Sequence, residues 1–109
     1  MDRKRILVVD DEIYIVHILE FSLTMEGYEV ATASDGEEAL RKIEDDRPDL
    51  VVLDIMMPKL DGYEVCRRLR QKEETASLPV ILLSAKGRPV DREVGMEVGA
   101  DDYIVKPFS

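Results

Sequence analysis

Short apolar runs rich in branched residues alternate along the chain with longer segments whose apolar residues recur every three or four positions. The short runs predict strands at residues 6–9, 28–32, 50–53, 80–83 and 103–105. The longer segments predict helices at residues 11–25, from Asp35 to just before Pro48, at 61–71 and at 89–98. This alternation of strand and helix predicts an α/β domain with a mostly parallel sheet and helices on its faces.

A doubly wound sheet with the order 2-1-3-4-5 is the arrangement that we assume for these strands. Because crossovers are right-handed, the first helix lies on one face and the next three helices lie on the other. Such a sheet is roughly 19 Å across, and one helix about 10 Å wide does not cover it. We therefore expect that a fifth helix is missing from this chain and that it would begin near Ser109, since serine often caps a helix. The expected domain is residues 1–109, truncated before its C-terminal helix.

Length and composition predict one domain and argue against several classes of protein. The 109 residues suffice for one core, and 45% hydrophobic with 36% charged residues exclude a disordered tail. A net charge of −9 argues against direct nucleic-acid binding, because phosphates repel an acidic surface. No apolar run approaches the ~20 residues of a membrane helix, and the single cysteine, Cys66, indicates a reducing compartment. We expect a cytoplasmic protein that contacts no membrane.

Polar residues stand at the carboxyl ends of four predicted strands, where open parallel sheets form their sites. Asp10 and Asp11 follow the first strand, Asp54 the third, Ser84 the fourth and Lys106 the fifth. Clustered carboxylates repel one another, and a hard divalent cation such as Mg²⁺ or Mn²⁺ relieves that repulsion. Asp54 is the candidate nucleophile, since an aspartate can attack phosphorus to give an acyl phosphate. Lys106 and Ser84 are candidates for stabilising the phosphoryl oxygens.

Each of these residues also has a simpler interpretation when it is taken alone. Asp10 and Asp11 are typical of a turn or a helix cap, and Ser84 is typical of a cap. The arginines of residues 67–70 are typical of a solvated helix end. The predicted site therefore depends on the agreement of four strand ends rather than on any single residue.

Four segments together resemble the receiver domain of two-component response regulators, and the resemblance covers the whole chain. They are ILVVDDE (6–12), DLVVLDIMMPKLDGYE (49–64), PVILLSAKG (79–87) and GADDYIVKPFS (99–109). The resemblance implies a flavodoxin-like fold and a phosphorylation-dependent signalling switch. It also implies Mg²⁺-dependent transfer of a phosphoryl group to Asp54 from a sensor histidine kinase or a phosphotransfer protein. Such a domain is not a turnover enzyme, although it catalyses its own phosphorylation and slow dephosphorylation.

The resemblance further implies how the metal is held. Asp11 and Asp54 would bind Mg²⁺ together with the main-chain carbonyl of Met56. Asp10 would act mainly through a metal-bound water. These assignments are carried over position by position from the matching motifs.

The resemblance also implies the parts of a conformational switch. Lys106 would pair with the phosphate, Ser84 would turn toward it, and Tyr103 would turn inward in response. The face formed by the fourth helix and the fifth strand would then change shape and relay the signal. Gly95 weakens that helix by ~1 kcal/mol relative to alanine, which suits an element with two states. The peptide bond between Lys106 and Pro107 would be cis.

The predicted first helix is apolar on two sides. We assign the stripe that includes Val16 to the sheet. Tyr14, Ile15 and Ile18 form a second stripe, which together with Pro107 we interpret as a docking surface for a kinase. Packing against the absent fifth helix is the alternative for this stripe, and for Ile18 both stay open. The sheet face left bare favours self-association of the chain.

Two other functions have to be weighed against the signalling switch. A phosphatase of the haloacid-dehalogenase type also uses an aspartyl nucleophile on an α/β sheet, but it needs a second aspartate two residues later. That position is Met56, which makes turnover of phosphomonoesters unexpected. A receiver-like interaction module that is never phosphorylated is the alternative, and the complete set of polar strand ends argues against it.

Overall fold

The structure is a computed structural model that describes residues 3–85 and 87–106. Its five strands are β1 (Arg5–Val9), β2 (Glu29–Ala33), β3 (Leu50–Asp54), β4 (Val80–Ser84) and β5 (Asp102–Val105). They form one sheet in the order β2-β1-β3-β4-β5, and each neighbouring pair is parallel. The predicted α/β fold and the predicted strand order are therefore confirmed.

Helices connect the strands throughout the part of the chain that the structure describes. They are α1 (Ile13–Met25), α2 (Gly36–Asp45), α3 (Gly62–Gln71) and α4 (Pro89–Glu97), with a short 3₁₀ helix at Glu73–Thr75 that the sequence did not predict. Asp35 and Asp61 precede α2 and α3, and their carboxylates accept hydrogen bonds from the backbone N–H groups of Glu38 and Glu64 at 2.8 and 2.9 Å. The two aspartates are therefore N-caps rather than the first helical residues.

The two faces of the sheet carry separate apolar cores, as the right-handed crossovers predict. On one face, Leu19 and Leu23 of α1 pack against a small cluster centred on Val8 and Val52. On the other face, α2 and α3 contribute to a larger core that also contains Tyr103 of β5. The buried helix residues of that larger core are Ala39, Ile43, Val65, Cys66 and Leu69.

Arg70 corrects the interpretation of residues 67–70 as a solvated helix end. Its side chain is only 20% exposed and crosses to the loops around the 3₁₀ helix and before β5. The guanidinium donates to the carbonyl oxygens of Gly99 at 2.9 Å, Leu78 at 2.7 Å and Thr75 at 3.2 Å, and pairs with Asp101 at 3.1 Å. Arg70 therefore joins these loops to α3 and is not a solvated surface charge.

Two of the predicted site residues lie at the carboxyl ends of their strands, as expected. Asp54 and Ser84 are the last residues of β3 and β4, and each is paired in register with the neighbouring strand. A side chain on a paired strand is held more rigidly than one on a loop. None of the described helices is both long and apolar enough to cross a bilayer.

Candidate functional site

The carboxyl ends of the strands bring three of the predicted site residues to one edge of the sheet. Asp10 directly follows β1, and its N–H donates to the carbonyl of Ala33 at 3.2 Å. Lys106 directly follows β5, and its N–H donates to the carbonyl of Ser84 at 2.7 Å. Together with Asp54 at the end of β3, these residues meet where the strand order reverses between β1 and β3.

The ammonium of Lys106 stands among three carboxylates. Its Nζ lies 2.8 Å from Asp10 Oδ2, 3.3 Å from Asp54 Oδ1 and 3.4 Å from Glu12 Oε1. The Lys106 side chain is 10% exposed, and the side chains of Asp10 and Asp54 are almost wholly buried. Since an ammonium has three N–H donors, Lys106 is able to face all three carboxylates at once.

The acidic cluster fits the divalent cation that its residue types predict. Asp10, Asp11 and Asp54 each offer a carboxylate oxygen within 4.8 Å of the others, and Asp11 is exposed while the other two are buried. Asp10 Oδ2 is buried and faces the ammonium of Lys106 at 2.8 Å. Carboxylate oxygens are among the ligands that Mg²⁺ prefers.

The electrostatics of the cluster favour a cation as well. Burial and, to a smaller extent, the nearby carboxylate of Asp10 together raise the pKa of Asp54 to about 6, although Lys106 opposes both effects. Burial alone would lower the pKa of Lys106, but hydrogen bonding and attraction to Asp10 and Asp54 outweigh it and raise that pKa above its usual value. Lys106 is therefore charged at neutral pH, and the site still carries more negative than positive charge.

Comparison with known proteins decides which family this site belongs to. A family model described as the response regulator receiver domain matches residues 6–109. The chain belongs to that family. The resemblance of the four sequence segments to a receiver domain is thereby confirmed, and so is the doubly wound fold that the resemblance implies.

Individual relatives agree with the family assignment. The alkaline phosphatase synthesis transcriptional regulatory protein PhoP of Bacillus subtilis (strain 168) is 57% identical over 106 residues. That match covers 97% of this chain but 43% of the relative, so the chain spans less than half the length of the curated protein. The solved structure of the chemotaxis response regulator CheY4 of Vibrio cholerae is 35% identical with a TM-score of 0.94, covering 99% of this chain and 90% of that one.

One solved relative contains a metal ion. The receiver domain of the sensor histidine kinase PA1611 from Pseudomonas aeruginosa PAO1 was solved with a magnesium ion coordinated in its active-site cleft. It is 35% identical, has a TM-score of 0.90, and the match covers 99% of this chain and 88% of that chain.

The remaining predicted residues of the receiver domain take different positions around the carboxylates. Ser84 is fully buried at the end of β4, the strand that pairs with β3. The backbone N–H of Met56 donates toward the Asp54 carboxylate, which opposes the rise in the pKa of Asp54. The role of the Met56 carbonyl as a metal ligand stays a prediction, and its side chain is 56% exposed.

Tyr103 already lies inward in this receiver domain. Its side chain is 2% exposed, within the larger core. A Cβ placed on Gly95 of α4 would lie 3.0 Å from the Tyr103 ring, and the guanidinium of Arg92 lies 5.9 Å from the ring centroid. The small residue at position 95 therefore makes room for the ring, a packing reason that the sequence interpretation of a weakened helix did not include.

Glu12 is a site residue that the sequence interpretation missed. Besides its contact with Lys106, its Oε2 accepts a hydrogen bond from the Tyr14 hydroxyl at 2.7 Å. That bond and the contact with Lys106 lower the pKa of Glu12, and the same bond raises the pKa of Tyr14. The signal in the sequence was the third acidic residue of ILVVDDE, but an acidic residue at this place is also typical of the start of a helix.

The outer face of α1 exposes a continuous apolar stripe. Tyr14 is 59% exposed and Ile18 is 50% exposed, while Ile15 is half-buried. Phe21 and Met25 extend the stripe by two turns, and the sequence interpretation did not include them. Val16, the stripe residue that we assigned to the sheet, is buried as expected. Pro107, the fourth predicted docking residue, lies outside the described residues, as does the peptide bond predicted to be cis.

Proposed function

We propose that this receiver domain accepts a phosphoryl group on Asp54 from the phosphohistidine of a sensor histidine kinase or a phosphotransfer protein. The observation that carries the proposal is the position of the Lys106 ammonium, 3.3 Å from Asp54 and 2.8 Å from Asp10 at a buried acidic edge. A cation held beside a buried carboxylate is suited to balance the charge that arrives with a phosphoryl group.

The chemistry follows from the ionisation and burial of Asp54. Above a pH of about 6 its carboxylate is ionised, and one oxygen attacks phosphorus while the bond from phosphorus to the donor breaks. The product is a mixed anhydride between the Asp54 carboxyl and phosphate. Lys106 pairs with one phosphoryl oxygen, and the hydroxyl of Ser84, at the end of the adjacent strand, donates to another.

The acidic cluster supplies the metal site of this proposal. Asp11 and Asp54 would hold Mg²⁺ or Mn²⁺ together with the Met56 carbonyl, and Asp10 would contribute mainly through a water. When bound, the cation supplies positive charge that neutralises the carboxylates and the phosphoryl oxygens. The burial of Asp10 and Asp54 and the clustering of their carboxylate oxygens with that of Asp11 within 4.8 Å support this assignment.

The signal leaves the site through α4 and β5. The acyl phosphate carries about two negative charges in place of the single charge of the Asp54 carboxylate, and these charges draw Ser84 and Lys106 toward it. Tyr103, on the strand that pairs with the strand of Ser84, packs against Gly95 of α4, and in the proposed switch a shift of Ser84 changes the space that the ring fills. The domain acts as a switch without turnover of a substrate, and its own slow dephosphorylation resets it.

The proposed partners follow from the exposed surfaces on the α1 side of the sheet. The exposed stripe that begins with Tyr14 and Ile18 on α1 docks the kinase. The part of the sheet face that α1 leaves uncovered supports self-association. The similarity to a transcriptional regulatory protein leads us to propose control of transcription as the output, exerted in the cytoplasm. Direct contact with nucleic acid by these 109 residues is not part of the proposal, since their net charge is −9.

Incubation with acetyl phosphate, with and without Mg²⁺, tests the proposal. We expect one hydroxylamine-sensitive phosphoryl group per chain, found on Asp54 by peptide mass spectrometry and absent when the metal is chelated. Asp54→Asn should abolish the label, and the exposed Asp49→Asn serves as the matched control. Labelling at any other residue, or equal labelling without a divalent cation, would contradict the proposal.

A further inference from the structure

Glu12 occupies the capping position of α1, yet its side chain makes no capping hydrogen bond. Glutamate is a poor cap, and the equivalent positions of α2 and α3 carry aspartates that do cap their helices. A residue that departs from a local rule without loss of the fold is expected at a functional position. The Glu12 side chain is engaged elsewhere, with one oxygen 2.7 Å from the Tyr14 hydroxyl and the other 3.4 Å from Lys106 Nζ.

The backbone of Glu12 is fixed on both sides. Its N–H donates to Asp10 Oδ1 at 2.9 Å, which ties it to the acidic cluster. Its carbonyl oxygen accepts from the N–H groups of Ile15 at 3.1 Å and Val16 at 3.2 Å, which ties it to the first turn of α1. The Glu12 carboxylate therefore extends toward Lys106 from a backbone that is held on both sides.

We propose that Glu12 is a positioning residue for Lys106 and that the Tyr14 hydroxyl holds Glu12 in place. This inference rests on the proposed phosphoryl acceptance. Asp10 and Asp54 draw the ammonium inward from buried positions, whereas Glu12, with a side chain 45% exposed, draws it toward the rim. Glu12 thereby keeps Lys106 from closing fully onto Asp54, which leaves an Asp54 oxygen available to attack phosphorus.

The same contacts connect the docking face to the site. Tyr14 is 59% exposed on the stripe proposed to bind the kinase, and two contacts lead from its hydroxyl through Glu12 to Lys106. A partner that takes over the Tyr14 hydroxyl would release Glu12 and with it the outward pull on the ammonium. Lys106 would then have one position when a docked kinase donates the phosphoryl group and another when a small phosphodonor does.

Two conservative substitutions test the inference with acetyl phosphate as the phosphodonor. Glu12→Gln keeps an acceptor for Tyr14 but removes the charge that attracts Lys106, and Tyr14→Phe removes the hydroxyl but keeps the ring. We expect Glu12→Gln to slow phosphorylation about three- to fivefold, the effect of losing one partly exposed ion pair. Tyr14→Phe should slow it less, and the double variant should match Glu12→Gln alone, because both changes act through one contact. Tyr28→Phe is the matched control with an unchanged rate.

A second measurement does not depend on phosphorylation. The ammonium resonance of Lys106 in the metal-free, unphosphorylated protein should shift in Glu12→Gln and in Tyr14→Phe and stay in place in Tyr28→Phe. An unchanged resonance in Glu12→Gln overturns the inference, and so do a shifted resonance with an unchanged rate and additive effects in the double variant. If the wild-type chain accepts no phosphoryl group at all, the proposed function fails, while the resonance still decides whether Glu12 positions Lys106.

Discussion

The α-carbon of Gly62 approaches the backbone of Asp54 so closely that a methyl group on it would lie 2.4 Å from the Asp54 carbonyl oxygen. The same methyl group would lie 2.9 Å from the α-carbon of Ile55. The Gly62 N–H donates to the carbonyl of Ile55 at 2.9 Å, which closes the loop between β3 and α3. The first residue of α3 therefore fixes the position of the proposed phosphoacceptor.

Gly62→Ala should displace Asp54 without altering any charged group. We expect the free energy of unfolding to fall by about 1–3 kcal/mol, the usual cost of overpacking, and phosphorylation by acetyl phosphate to slow. Chemical denaturation and the rate of labelling measure the two effects. Gly27→Ala is the control, because Gly27 has a positive φ of 97° and no atom near the added methyl. That variant should lose stability but keep its rate, and an equal rate in both variants would contradict a positioning role for Gly62.

The stability of the metal-free protein should depend on pH through Asp54. Its pKa is about 6 in the folded protein and 3.8 as its ordinary value, so the folded chain holds a proton that the unfolded chain releases between those values. Stability therefore falls as pH rises from about 4 to 6, by up to about 3 kcal/mol from this group. Other carboxyl groups, such as Glu38 and Glu64, have lowered pKa values and oppose this trend.

The Asp54 contribution is isolated by comparison with Asp54→Asn. Denaturation at several pH values should show that the variant gains stability relative to the wild-type chain as pH rises from 4 to 6. A constant difference across that range would show that Asp54 titrates outside it.

Mg²⁺ should stabilise the folded chain, since the folded state gathers carboxylates that the unfolded state does not. At one hundred times the dissociation constant, binding adds about 2.7 kcal/mol to the free energy of unfolding. Asp11→Asn should remove most of this gain, because Asp11 is one of the three clustered carboxylates. Thermal melting with and without Mg²⁺ measures the effect. Glu93→Gln is the control, because it removes one negative charge, as Asp11→Asn does, at an exposed position of α4. This variant should keep the full gain.

Ile18→Glu should separate kinase docking from the chemistry of the site. Ile18 is 50% exposed on α1 and is not one of the proposed site residues, so phosphorylation by acetyl phosphate should continue at the wild-type rate. Phosphotransfer from a phosphorylated kinase should slow at least tenfold, as expected when a charge enters an apolar contact. Met96→Glu, 48% exposed on α4, is the control. Equal losses with both phosphodonors would contradict docking at Ile18.

Arg70→Ala should destabilise the domain more than its charge suggests. The guanidinium donates to three backbone carbonyl oxygens, so its loss leaves part-buried acceptors without a partner and should lower the free energy of unfolding by about 2–3 kcal/mol. Arg70→Lys should restore little of this, since an ammonium does not reproduce the planar fork of donors. Arg68→Ala, which breaks an exposed ion pair with Glu64, should cost less than about 1 kcal/mol.

The sequence predicted the parts of the molecule that repeat a simple physical rule. Apolar runs gave the strands, right-handed crossovers gave the arrangement of the helices, and the carboxyl ends of parallel strands indicated where Asp10, Asp54 and Lys106 meet. The starts of α2 and α3 differ from the predicted ones by one residue because the capping residues Asp35 and Asp61 look like helix residues in a pattern but lie just outside the helix.

The parts that the sequence did not predict depend on the direction of individual side chains. Glu12 and Lys106 are 94 positions apart, and no periodicity in the chain indicates that their side chains face each other. Arg70 is the same residue type as its exposed neighbours Arg67 and Arg68. Its side chain is less exposed than theirs because loops from two other parts of the chain close over it. Contacts of this kind become visible when the backbone is in place.

The location of Lys106 directly after the edge strand β5 has a consequence for the newly made protein. The three aspartates emerge from the ribosome within the first half of the chain, but their counter-charge arrives about fifty residues after the last of them. The amine reaches the aspartates when β5 has joined β4, which is the final pairing in chain order. A chain in which β5 has not joined β4 therefore has the three aspartates without the ammonium beside them, so the proposed acceptor site is complete only in the folded domain.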